Sequence, residues 1–582
     1  MLRYGSMSRF QTIYLTNQRP IRSAVTSHDG RYVAVAGKRG LAHYSVGSGR
    51  WKTFDDPEAE NAFVVRGGMC WYQHVLIAAV ESDDSYELRL YSRELGLNPE
   101  SLLHIQQLPS AAVVVSMTGQ DSLLVYTSEN VLYHYIVSAS DTTVTLFQVG
   151  QLTLNGIVRA PARVRAVTWI LPDHQLRDGD PSQDVAYASV LFLVDAKLVL
   201  LQSSTSEGTQ KYDMRVIANN VEYFDLMRDQ GTLINSPSQS PPESPSGERL
   251  PITGLHADRA LRDSLWFFDG ESVRCWTDVE DLLESASTGN DCDLPSPVSI
   301  ATDFYPTSVI LNRGIVVGLD SELHQRRDVH FAMFRHTIRT QLFLPHILRK
   351  CLSELDPAAA SVLALRYRDL PYFSHALELL LHMVLDDEVD ANLNAPDFLM
   401  SAVVSFLSTF PNYLDIVVQC TRKTEVRSWR TLFAYLPSPQ QLFEESLEKN
   451  LLKTAGGYLL VLHTFQELET SSEQCIRLLQ KAKEAGDWDL CKELGRFLMA
   501  LDASGDTLGE ALSRMSINHE DDIDRSPSDI NVLLATPRPT KTHKHHGPNG
   551  YSPGSPRRIS SETVQSPNGT AASEDYFSSH SG

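Results

Sequence analysis

The chain has 582 residues, with 51 Lys and Arg against 72 Asp and Glu, a formal net charge of −21; hydrophobic residues make up 42% and charged residues 21%. At about 100–200 residues per domain, that length predicts about three or four units, with enough apolar material for sizeable cores. The acidic balance argues against a chain that wraps nucleic acid, because phosphate binding needs clustered Lys and Arg; it fits a protein that touches basic protein surfaces or works beside a membrane through a partner.

Cysteines at Cys70, Cys275, Cys292, Cys351, Cys420, Cys475 and Cys491 are widely spread and contain no C-x-x-C pair. A reducing compartment is therefore expected rather than a disulfide scaffold. The opening MLRYGSMSRFQTIYL lacks the apolar core of a signal peptide. Val190 to Leu201, the most apolar long segment, is interrupted by Asp195 and Lys197, and no stretch approaches the roughly 20 residues needed to span a bilayer. The chain reads as a protein of the cytosolic side.

From about residue 20 to 330 the pattern is one of strands. Runs rich in Val, Ile, Leu and Tyr recur at Arg31–Ala36, Leu41–Val46, Val75–Val80, Tyr86–Tyr91, Ala111–Met117, Leu123–Tyr126, Val131–Val137 and Thr143–Val149. Turn residues such as Asp29-Gly30 separate them, and Ser264–Phe268 pairs naturally with Ser272–Trp276 around Asp269-Gly270. About sixteen clear strands over some 300 residues are too many for one sandwich but suit a WD40-like β-propeller with blades of roughly 40–45 residues. The Gly-His and Trp-Asp marks of regular WD repeats are missing, and the strand count falls short of a full seven-bladed ring, so over 1–330 either some strands are degenerate or part of the ring lies outside this chain. Its Pro/Ser-rich insertion at 236–248 (SPSQSPPESPSGE) reads as a mobile loop on the rim.

The apolar period changes to 3.6 from about 331. Phe373, Leu377, Leu380, Leu381, Val384 and Leu385 recur at helical spacing. Asp356-Pro357 and Ser438-Pro439 read as N-caps followed by Pro at the first helical position, and Ser438 with Gln441, and Ser471 with Gln474, read as capping boxes. Helices are predicted at Gln474–Ala485 and Trp488–Leu501, with the apolar face of the latter running through Trp488, Phe497 and Leu498. The whole of 331–502 is expected to be an α-solenoid. From 503 to 582 the chain is rich in Ser, Pro, Gly and charge and is expected to be disordered. Ser526, Ser552, Ser555 and Ser566 each precede Pro, as does Thr536, and Ser560 follows Arg557-Arg558-Ile559. This resembles a phosphorylation-controlled tail, with a passive low-complexity end as the alternative.

Catalytic motifs are scarce. Gly37-Lys38-Arg39 lacks the Ser or Thr and the upstream Gly of a phosphate loop and more simply closes a hairpin. No G-x-G-x-x-G, G-x-S-x-G or H-E-x-x-H occurs. His375 and His382 share a helical face but lack a third ligand, and His543, His545 and His546 lie in the tail. The acidic run Asp386-Asp387-Glu388-Val389-Asp390 is either a solvated face or a contact for a basic partner. The basic run from Arg335 to Arg349 interleaves cations with apolar residues beside the domain junction, which would suit an exposed Arg side on a packed helix. No residue is assigned a catalytic, cofactor-binding or metal-binding role, no cofactor is implied, and the chain is not expected to be an enzyme that makes covalent bonds.

Several longer segments carry a resemblance. LPYFSHALELLLHMVLDDE (370–388), FPNYLDIVVQCTRKTEVRSW (410–429), LFEESLEKNLLKTAGGYLLVLHTF (442–465) and GDWDLCKELGRFLMAL (486–501) closely resemble the defining domain of the Ric-one family, and RYVAVAGKRGLAHYS (31–45) followed by Gly49-Arg50-Trp51-Lys52 resembles that family's propeller. The resemblance implies a propeller followed by a helical solenoid. It implies a subunit of a Golgi guanine-nucleotide exchange factor for a Rab GTPase of the Rab-six/Ypt-six class, working with a smaller Rgp-type subunit in endosome-to-Golgi retrograde transport. The implied location is the cytoplasm and the cytosolic face of the Golgi membrane, by peripheral association. Family members are longer and carry another propeller upstream, so this chain reads as their C-terminal portion. A non-catalytic coat or tethering scaffold of the propeller–solenoid type is the alternative.

Overall fold

The computed structural model describes Tyr14, residues 17–501 and two isolated later positions, 509 and 513, except for 15–16, 84, 120, 140–142, 207–208, 229–260, 288–293, 326–331, 391–397 and 466–467. The expected insertion loop at 236–248 and, apart from 509 and 513, the tail beyond 503, with its Ser-Pro sites and histidines, lie outside the described residues.

Leu123 and Val125 point to one side of their strand and pack with Val75, Ile77 and Leu90; Leu124 and Tyr126 point to the other and pack with Val167, Trp169 and Phe192. The next sheet repeats this, with Val190 and Phe192 facing backward and Leu191 and Leu193 facing forward onto Leu265 and Phe267. A strand buried on both faces reads in sequence as a continuous apolar run, because alternate residues serve two different neighbours. The architecture that follows is a β-propeller of six sheets, spanning 23–52, 64–108, 112–153, 164–219, 223–301 and 305–342, in which consecutive strands pair antiparallel. Among the described residues, five sheets have four strands and the sixth has three. The first strands of the early sheets, Ser23–Thr26, Val64–Tyr72, Ala112–Thr118 and Val164–Ile170, lie against one another in turn.

The predicted strands are present, with ends shifted by a residue or a few: Tyr32–Ala36, Val75–Ser82, Ser122–Thr127, Asp263–Phe268 and Ser272–Trp276 among them. The total of 23 among the described residues exceeds the expected sixteen or so. The additional strands include polar ones such as Thr209–Asn219 (TQKYDMRVIAN), whose composition does not announce a strand.

Among the described residues ten helices follow: α1 Leu344–Ser353, α2 Pro357–Tyr367, α3 Phe373–Asp390, α4 Phe398–Ser408, α5 Tyr413–Lys423, α6 Val426–Tyr435, α7 Pro439–Glu448, α8 Leu452–Phe465, α9 Leu468–Glu484 and α10 Trp488–Leu501. They form the expected solenoid, with α3 against α1, α4, α5 and α6, and α8 against α5, α7 and α9. The predicted apolar stripe of α3 is buried throughout. Asp356 accepts the amide hydrogen of Ala359 to cap α2, and Ser438 and Gln441 form a reciprocal capping box on α7. Tyr458 on α8 donates its hydroxyl to the carbonyl of Leu414 at 2.8 Å, tying α8 to α5 within the core.

Three expectations are corrected. The helical region begins at Leu344 rather than 331, because Ala332–Leu342 is the last propeller strand. Its Phe334, Ile338 and Leu342 are four apart, a spacing that suits both an alternating strand and one helical turn. Ser471 lies inside α9 and does not cap it, since helix formers Leu468 and Glu469 extend the helix upstream. Trp488 is 59% exposed. Asp487 accepts the amide hydrogen of Leu490 at the start of α10, and the buried stripe is Leu490, Leu494 and Leu498. At about 100° per residue, Trp488 faces roughly opposite to Leu490.

Candidate functional site

The turn at Gly37-Lys38-Arg39 spends its amides on the chain itself. Gly37 donates to the Tyr14 hydroxyl at 3.0 Å, Lys38 to the carbonyl of Gln18 at 2.9 Å and Arg39 to Gln18 Oε1 at 3.0 Å. A β-carbon on Gly37 would sit 2.1 Å from the Gln18 carbonyl oxygen, so the glycine is required by close packing and leaves no cradle for a phosphate.

His375 and His382 address different carboxylates: His375 Nδ1 lies 3.3 Å from Glu378 Oε2 and His382 Nδ1 lies 2.8 Å from Asp386 Oδ2. Glu378, nearly buried, also meets Lys423 of α5 at 2.6 Å. Among the described residues, no group of three or more His, Cys, Asp or Glu could hold a metal ion. Burial pushes the thiols of Cys70, Cys420 and Cys475 up to about 12, which keeps them protonated and poorly nucleophilic.

The acidic run ends α3 and is largely used within the solenoid. Asp387 meets Arg349 of α1 at 2.6 Å, and Glu388 accepts the Tyr435 hydroxyl of α6 at 2.8 Å. The basic run is divided between two elements. Arg335 and Arg339 belong to the last strand, where Arg339 pairs with Asp320 at 3.1 Å, and Arg349 belongs to α1. Sequence reasoning did not place this division.

The junction between propeller and solenoid is an aromatic lock. Phe343 is completely buried, 5.0 Å from the Trp266 ring of the fifth sheet and 6.2 Å from Tyr367 of α2. Tyr367 donates its hydroxyl to the carbonyl of Leu311 at 2.8 Å, Tyr372 bonds to the carbonyl of Arg313, and Lys350 reaches Ser296 Oγ at 3.0 Å. Such a joint fixes the angle between propeller and solenoid.

An open cleft of about 540 Å³ lies against the fifth sheet, lined by Asn219, Asn220, Asp269, Arg274, Trp276 and Pro297 among others. Burial opposes ionisation of Asp269, but amide hydrogen bonds from Ser272 and Glu271 and the nearby Arg274 outweigh it and hold the carboxyl below its ordinary value. Asp269 is thus a satisfied carboxylate, and Ser296, which also lines the cleft, accepts a hydrogen bond from Lys350.

No helix among the described residues is long and apolar enough to cross a membrane. The family model described as the RIC1 second beta propeller domain matches residues 9–339, and that described as the RIC1 C-terminal alpha solenoid region matches 345–517. The chain is 28% identical over 524 residues to the mouse protein named guanine nucleotide exchange factor subunit RIC1, covering 86% of this chain and 36% of the relative. The human protein of the same name gives 28% over 525 residues with the same coverage. The fission yeast protein named guanine nucleotide exchange factor subunit ric1 is 24% identical over 561 residues, covering 86% of this chain and 51% of the relative. The chain therefore spans about a third of the length of its mammalian relatives. Propeller and solenoid follow one another as the two matched models do, and the chain belongs to the RIC1 family.

Proposed function

We propose that this chain is the propeller–solenoid portion of a guanine-nucleotide exchange factor subunit that acts on a Rab GTPase of the Rab-six/Ypt-six class. The observation that carries the reading is the match of both RIC1 domain models along nearly all described residues, with relatives named as exchange-factor subunits. The site geometry supports it. Exchange forms no covalent bond; it requires a surface that binds the nucleotide-free GTPase more tightly than the nucleotide-bound one. The rigid Phe343 joint and an acidic chain without a reactive cluster among its described residues suit such work. The reading includes a smaller Rgp-type subunit as partner, a peripheral place on the cytosolic face of the Golgi membrane, and a role in endosome-to-Golgi retrograde transport.

The test is a pull-down of purified chain plus the smaller subunit on immobilised Rab-six-class GTPase, stripped of nucleotide or loaded with GDP or a GTP analogue. Stronger retention by the nucleotide-free or GDP form is expected. Equal retention by all three forms would favour the coat or tethering scaffold.

A further inference from the structure

The sixth sheet ends in a long hairpin of strands Ile315–Gln325 and Ala332–Leu342. Their register places Leu319 opposite Ile338 and Leu323 opposite Phe334. All four side chains are on one face, and all four are exposed, Phe334 at 65% and Leu323 at 60%. Arg335 and Arg339, exposed on the other face, flank Thr337, and His336 is exposed between the two apolar pairs. Strand Ala332–Leu342 contains no acidic residue, while on its inner side Asp320 of the neighbouring strand pairs with Arg339 and Glu322 lies opposite Arg335. It is also an edge: the other five sheets have a fourth strand, whereas among the described residues nothing pairs with its outer side.

An exposed, long, partly apolar edge is a liability unless it is covered or guarded. A second copy is a poor cover here, since antiparallel self-pairing would bring arginine-bearing strands together in a chain of net charge −21. We propose that this edge is a strand-addition site for an acidic extended segment of a partner protein, which completes the sixth sheet. The register sets the recognition pattern. For an antiparallel guest, the residues facing Arg339 and Ile338 are neighbours, and those facing Arg335 and Phe334 come four positions later. The guest therefore reads acidic–apolar–any–any–acidic–apolar, with main-chain hydrogen bonds supplying affinity and the two faces supplying specificity. The inference stands apart from exchange activity.

The probe is the peptide acetyl-Thr-Glu-Val-Thr-Thr-Glu-Val-Thr-amide, titrated by fluorescence anisotropy into the full chain, with hydrogen exchange read over 332–342. Binding with protection of these amides is expected. Affinity should fall about tenfold or more with Phe334→Ser plus Ile338→Ser. Arg335→Glu should weaken this peptide and favour its counterpart with Lys at the second Glu. The same peptide N-methylated at alternate amides should not bind. Equal binding of the N-methylated peptide would overturn strand addition. No binding at millimolar peptide would mean that the arginines merely guard the edge. Self-association of the free chain that the Phe334/Ile338 double variant abolishes would make a second copy the occupant and overturn the acidic-partner assignment.

Discussion

Phe343, the first residue after the last propeller strand, holds its ring 5.0 Å from that of Trp266 in the fifth sheet. Because Phe343 is fully buried, its replacement opens a cavity that neither the sheets nor α1 can readily close. Phe343→Ala is expected to cost roughly 3–5 kcal/mol. Urea unfolding followed by tryptophan fluorescence should show a lower midpoint; an unchanged midpoint would mean that the joint is not tightly packed.

Trp488 and Leu498 give a contrasting pair. Trp488 is 59% exposed and Leu498 is 0% exposed. Trp488→Ala should change stability by less than about 1 kcal/mol, while Leu498→Ala should cost about 2–5 kcal/mol. The same unfolding measurement separates them, and equal effects would contradict the assigned buried face of α10.

Two helical glycines should respond with opposite sign. A β-carbon on Gly457 would lie 2.7 Å from Val418 Cγ2, whereas one on Gly495 meets nothing within 4 Å. Val418 is buried and stiff at its first side-chain torsion. Gly457→Ala should therefore destabilise by about 1 kcal/mol even after the gain in helix propensity, and Gly495→Ala should stabilise by about 0.5–1 kcal/mol. Thermal melts of both variants check the signs.

His43 and His134 set an acid sensitivity. Burial pushes each down to about 4 from an ordinary value near 6.5, with Lys52 adding to the effect at His43. Below about pH 6.5 the unfolded chain takes up protons that the folded chain refuses until about pH 4. Stability should thus fall as pH drops through that window, and these groups should contribute nothing to the slope above it. Both His43 ring nitrogens are buried without a hydrogen-bond partner among the described residues, so His43→Leu should flatten the dependence. An unchanged slope between about pH 6.5 and 4 in this variant would assign it to other groups.

The propeller was legible where strands are buried on both faces, as at Leu123–Tyr126 and Val190–Leu193, since their apolar runs are bounded by turn residues. It was illegible at Ala332–Leu342, where Phe334, Ile338 and Leu342 satisfy two periods at once and only pairing with Ile315–Gln325 decides. The caps at Asp356 and Ser438 could be read because they are local; the Ser471 pattern misled because upstream residues extended the helix. The basic run at Arg335–Arg349 is plain in the sequence, but its division between an edge strand and α1 depends on contacts far apart in sequence. The Phe343 lock carried no local signal, because Trp266 and Tyr367 are brought to it only by the fold.

The central claim, that this portion serves exchange on a Rab-six-class GTPase, is tested most directly by release of fluorescent GDP. The chain alone is expected to accelerate release little, because the opening surface is proposed to be shared with the smaller subunit. Adding that subunit should speed release from the Rab-six-class GTPase and not from unrelated Rabs, and raising salt should weaken the effect by screening the acidic surface. Full acceleration by the chain alone would contradict the shared surface, and no acceleration in any combination would contradict the exchange function itself.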